Sequence, residues 1–188
     1  MVNNNIKAKI ADTMYQLLHK KSIDKITVKE VAEMSGISRP TFYYHFQDIY
    51  NVLEWMIKHK VDLLLQQSIA TDDQEKAIRL FVKFCVEDRQ IINRLLQSHQ
   101  RELIEKTLEE GIEQYFIGML MQKNIGNHLS IEEGKLAVEF CSFGITGICM
   151  KHCNDKDLDE EGLVRKLLVL TNGLEGKVRQ IEECVKIK

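Results

Sequence analysis

Proline is almost missing from this chain: one residue in 188, Pro40, accompanied by only ten glycines. Proline and glycine punctuate regular structure, so their scarcity predicts long uninterrupted helices, and no period-2 segment of useful strand length is present. Uncharged apolar runs are short as well. None approaches the ~20 residues that span a bilayer, and the amino terminus MVNNNIKAKIADT lacks the apolar core of a signal peptide, so the expected location is the cytoplasm. Catalytic signatures are also missing. There is no G-x-S-x-G, no phosphate-cradling glycine loop, no H-E-x-x-H and no carboxylate pair set apart from ordinary charged helix faces, so no enzymatic activity and no cofactor are expected.

What is present is a globular composition with an uneven charge. At 44% hydrophobic content the chain can bury a sizeable core. Net charge is −2, yet residues 1–60 hold nine Lys and Arg against six Asp and Glu, so +3 lies there and −5 in the remainder. A local positive excess suits a targeted contact with nucleic acid.

That excess coincides with the most specific motif, residues 27–46, TVKEVAEMSGISRPTFYYHF. Thr27 is placed to cap a first short helix, with Val31 and Ala32 as its inward contacts. Gly36 then supplies a tight turn, where positive φ carries no steric penalty. Ser38 is placed to cap a second helix, and Pro40 falls in its first turn, where no donor is lost. Phe42 and Phe46 share one side of that helix, while Arg39, Thr41, Tyr43, Tyr44 and His45 cover the rest. Aromatic and basic donors on an outward face suit phosphates and base edges in a major groove better than they suit solvent. The alternative is that the tyrosines pack against neighbouring helices.

These residues resemble the DNA-binding domain of TetR family transcriptional regulators, whose recognition helix commonly reads T-[LF]-Y-x-H-F, here Thr41, Phe42, Tyr43, Tyr44, His45 and Phe46. The resemblance implies an all-α protein: a three-helix reading domain over residues 1–47, then a helical effector-binding and dimerisation domain over 48–188, about nine helices in all. It implies that Thr41 and Tyr43 hold phosphates, that Lys29 and Arg39 reach phosphates or base edges, and that Tyr44 and His45 face the groove. Thr27, Ser38 and Pro40, at the two helix starts, complete the DNA-binding set. The family usually places a backbone-gripping lysine just after the recognition helix, where this chain has Ile49. The resemblance also implies a homodimer on a palindromic operator, a small apolar or amphipathic effector, and repression.

Helical periodicity continues through the chain. Ile6, Ile10, Met14, Leu17 and Leu18 form the inward stripe of the first helix, and a long helix is expected from Asp48 to Ser68. Further helices are expected from TDDQEK to about Glu87, then over 88–97, 100–122, 131–152 and 159–185. In the last, Leu163, Leu167, Leu170, Leu174, Val178, Ile181 and Val185 recur every three or four residues as a packing seam. Gly144 and Gly147 in the preceding helix leave room for another backbone, and with the seam they are the expected dimer interface. Trp55, Phe84, Cys85, Tyr115, Phe116, Met119, Phe140 and Phe143 are candidate pocket residues, equally able to fill a core.

The carboxy-terminal half, through FGITGICMKHC, an acidic turn and LVRKLL, is similar to a branch of the family that includes activators partnered with dihydroxyacetone-kinase-like proteins. That similarity implies the alternative reading of a regulator controlled by a partner protein, or an interaction module that kept the helix-turn-helix scaffold. The branch often has a tryptophan near the positions of Met150 and Lys151, which this chain lacks. Cys149, His152 and Cys153 form C-x2-H-C on one helix, but Cys141 and Cys184 have no ligand-like spacing to complete a zinc site. Buried thiols and no metal are expected, and His59, His99 and His128 are expected at surface or capping positions.

Overall fold

Side-chain caps and buried apolar stripes, rather than composition, decide where each helix begins and what it packs on. The computed structural model describes residues 2–122, 130–152 and 157–172, and those residues are all-helical. The helices are α1 (Val2–Leu18), α2 (Val28–Met34), α3 (Arg39–His45), α4 (Ile49–Ala70), α5 (Gln74–Leu95), α6 (Arg101–Gln122), α7 (Ile131–His152) and α8 (160–172), with a 3-10 turn at Ile23–Lys25. Residues 64–87 with 119–188 form one compact unit, and residues 1–63 with 88–118 form the other.

In the second of these, Ile10, Met14, Leu17 and Leu18 of α1 are fully enclosed, as the stripe predicts, together with Val31, Ala32, Phe42 and Phe46. Ser35 Oγ donates to Thr13 Oγ1 at 2.9 Å, which pins the end of α2 to α1 beneath the surface. Asp48 caps α4 through Asn51 N–H at 2.9 Å. On α6 a Cβ at Gly111 would stand 3.2 Å from Ile57 Cγ2, so glycine is what lets α6 lie this close to α4.

One boundary differs from expectation. The two helices expected over residues 71–87 and 88–97 are the single helix α5. Its buried positions Ala77, Phe81, Cys85, Asp88, Ile91 and Leu95 continue at helical spacing across the charged EDR stretch. Asp88 is the first residue past the expected boundary at Glu87. It is an enclosed carboxylate on the inward face, bonded to Lys60 and Tyr15.

In the other unit, α7 opens on a reciprocal capping box. Glu133 N–H donates to Ser130 Oγ at 3.2 Å, and Ser130 N–H donates to Glu133 Oε2 at 2.8 Å. These backbone and hydroxyl donors hold the Glu133 carboxyl below its usual range. Gln74 Nε2 donates to Thr171 Oγ1 at 3.0 Å and Arg79 pairs with Glu161, which ties α8 to the start of α5. The seam read from α8 divides. Leu163 and Leu167 are buried with Val164 inside their own unit, whereas Val169 and Leu170 are exposed. A three-four repeat marks an apolar face without saying which chain covers it. Leu174, Val178, Ile181 and Val185 lie outside the described residues.

Candidate nucleic-acid interface

The reading helix is shaped by its caps. Thr27 accepts from Glu30 N–H at 3.3 Å to start α2, and Ser38 accepts from Thr41 N–H at 3.1 Å to start α3, with Pro40 in the first turn. Each satisfies a backbone donor that the helix leaves open. Gly36 adopts φ +63°, the left-handed conformation a tight turn requires. Phe42 is wholly buried and meets Phe46 at a ring distance of 6.1 Å, so α3 is anchored by the face the spacing assigned inward.

The opposite face stands in solvent. Tyr43 and Tyr44 are 58% and 78% exposed, which is far more apolar ring than an isolated surface helix ordinarily presents. His45 lies edge-on to Tyr44 at 5.0 Å, and Tyr43 edge-on to Phe42 at 5.7 Å, so the rings brace one another. Arg39 and Pro40 are exposed at the start of α3. Thr41 Oγ1 shares a 2.8 Å hydrogen bond with Ser38 Oγ, which puts both hydroxyls in the cap itself. Lys29 is exposed on α2 and pairs with the exposed Glu33 at 3.9 Å, a pair too solvated to hold its charge back from a phosphate.

Two cations near this surface escaped the sequence reading. A Cβ on Gly36 would lie 3.7 Å from Lys9 Nζ, and Lys7 Nζ sits 5.4 Å from the Phe46 ring centroid. Helical spacing from Lys9 to the turn spans too many residues to be read without the fold. Ile49, where the family pattern has lysine, is buried as the first residue of α4. Its side chain is core, and a cation there would have to be desolvated.

The pocket candidates fall on both units. Trp55 stacks on His59 at 4.7 Å, and Tyr115 meets Phe116 edge to face at 5.2 Å. Cys85 is buried, Phe84 and Met119 are half-buried, and Phe140 and Phe143 are 57% and 67% exposed on α7. Those two phenylalanines line the outside of their own chain. Cys149 is buried, and its thiol hydrogen-bonds with that of Cys85 of α5, which lowers its pKa from the ordinary value against the opposing effect of burial. Burial pushes the Cys141 thiol up. Among the described residues no group of three or more His, Cys, Asp or Glu could hold a metal ion, and Cys153, Cys184 and His128 lie outside them.

A capped short helix, a glycine turn and a second helix with a buried phenylalanine and outward tyrosines define a helix-turn-helix protein of the DNA-binding class. Residues 10–54 match the profile of bacterial regulatory proteins of the tetR family, and residues 72–173 match a transcriptional regulator C-terminal region. The chain belongs to the TetR family of transcriptional regulators. It is 32% identical over 61 residues to an HTH-type transcriptional regulator of Mycobacterium tuberculosis, a match spanning 32% of each chain and so about a third of that relative's length. Among solved structures it is similar to the dihydroxyacetone kinase operon activator DhaS (TM-score 0.65, 16% identity, 88% of this chain and 95% of that one). It is also similar to the fatty acid degradation regulator FadR from Bacillus halodurans (TM-score 0.59, 19% identity, 86% and 91%). At such identities these likenesses concern the fold. No helix among the described residues is long and apolar enough to cross a membrane.

Proposed function

We propose that this regulator is a ligand-responsive repressor that binds a palindromic operator as a homodimer, with residues 1–47 reading DNA and 48–188 binding effector and partner. The observation that carries the reading is the outward face of α3. Tyr43 and Thr41 meet phosphates, Lys29 and Arg39 meet phosphates or base edges, and Tyr44 and His45 enter the groove.

Pairing is supported by the outer face of α7. Leu136, Phe140 and Phe143 are exposed at helical spacing, and a Cβ on Gly144 or Gly147 would meet nothing within 4 Å. An apolar stripe beside two open glycines suits a second helix packed closely against it, and Leu170 of α8 is likewise exposed.

For the effector, the supporting feature is the buried Ser142 Oγ and Thr146 Oγ1, which have no hydrogen-bond partner among the described residues. Buried hydroxyls without partners are unfavourable, so an amphipathic molecule carrying a hydrogen-bonding group would relieve both. The reading is tested by gel shift of the protein's own upstream region. Retardation of a palindromic fragment that weakens steeply as salt rises supports it. Indifference to every fragment and to salt would sink it.

A further inference from the structure

Within the unit formed by residues 1–63 and 88–118, polar side chains of α4, α5 and the α5–α6 turn reach the reading head at three places. At the first, the buried Asp88 carboxylate accepts from Lys60 Nζ at 2.7 and 2.8 Å and from Tyr15 Oη at 2.8 Å, while Lys60 Nζ lies 3.8 Å from the Tyr15 ring centroid. One carboxylate thus joins α1, α4 and α5. At the second, Arg94 donates to the carbonyls of Leu18, at 2.8 Å, and His19. Those carbonyls end α1, where a helix has acceptors to spare and favours a cation. At the third, Asp24 of the 3-10 turn accepts from Ser98 Oγ at 2.7 Å and from His99 N–H and Tyr50 Oη at 3.3 Å.

Ridge-into-groove apolar packing leaves helix crossing angles a scatter of about 15–20°, whereas hydrogen bonds to charged groups are directional. We propose that Asp88, Arg94 and Asp24 are positioning residues that fix the angle of the reading head on α4 and α5, and thereby the half-site spacing the regulator accepts. None of the three belongs to the DNA-contacting set, so their effect on operator choice is geometric. The spacing consequence rests on the dimeric DNA-binding reading above; the latching of the head does not.

The test uses the full chain and a duplex selected from a random pool, resynthesised with its half-sites moved by one and by two base pairs. The unmodified protein is expected to lose about tenfold in affinity per displaced base pair, and Asp24→Asn combined with Asp88→Asn only about twofold, with both remaining dimeric in sedimentation. Should Asp88→Asn fail to fold, Ser98→Ala with Arg94→Gln probes the other two latches. A spacing profile unchanged by these variants, or affinity lost equally at every spacing, would overturn the proposal. Hydrogen exchange without DNA reads the latch alone: faster exchange in α1–α3 with α7 unchanged supports it, and no change in α1–α3 refutes it. A protein that bound no duplex would defeat the regulator reading, while hydrogen exchange would still decide the latch.

Discussion

The reading helix and the α7–α8 region both leave large side chains in solvent, and their chemistry is opposite. On α3 the exposed rings are tyrosines beside Arg39 and His45, each with a polar tip. On α7 and α8 they are Leu136, Phe140, Phe143, Val169 and Leu170, with no polar atom to offer. A tyrosine face wants a partner that is wet and hydrogen-bonding, such as a phosphate backbone, whereas a leucine and phenylalanine face wants one that is dry. Under the function proposed above, the two exposed faces correspond to two different partners, DNA for α3 and a second copy for α7 and α8.

Substitutions can separate these regions, and the largest effects should come from positions that hold each together. Phe42→Ala removes the wholly buried anchor of α3 and should destabilise the head by about 3–5 kcal/mol in denaturant titration. If stability were unaltered, α3 would be held by something other than its inward face. Phe143→Glu places a charge on the dry face and should weaken pairing by about 2 kcal/mol or more, giving monomers in sedimentation while the melting temperature of the monomer changes little. A variant that stays dimeric would move the interface elsewhere.

Smaller effects should distinguish contact from scaffold. Tyr44→Ala should leave the melting point alone and weaken operator binding by about 1–3 kcal/mol, mostly for particular bases, whereas Tyr43→Ala should weaken all sequences alike; equal profiles for the two would contradict their separate roles. Ser38→Ala, at the cap of α3, should destabilise by about 1 kcal/mol.

The smallest effect concerns pH. The Ser98 hydroxyl, helped by His99 N–H, holds the Asp24 carboxyl below its ordinary 3.8. A depressed folded-state value means stability that is present above the ordinary value and lost as pH falls through the folded one. The stability gap between the natural chain and Asp24→Asn should accordingly narrow below about pH 4. A gap that stayed constant through acid would show that the carboxylate is not what Ser98 stabilises.

The head was legible because its determinants are local. Thr27, Gly36, Ser38 and Pro40 act within a few residues of themselves, so caps, turn and inward Phe42 could be read in one dimension. The continuity of α5 past Glu87 was not legible, because the partners that bury Asp88, Tyr15 and Lys60, stand 73 and 28 residues away. Lys9 beside Gly36 was invisible for the same reason. On α8, Leu163 and Leu167 carry the same spacing as Leu170, yet they face the interior of their own unit. Periodicity reveals that a face is apolar, and only the fold shows what covers it.

Selection of bound duplexes from a random pool tests the paired reading head most directly. The account predicts recovery of one palindrome whose half-sites lie about 10 base pairs apart centre to centre, bound by a dimer with affinity that falls steeply with salt. Recovery of no enriched sequence, or of a single half-site bound by monomers, would contradict it.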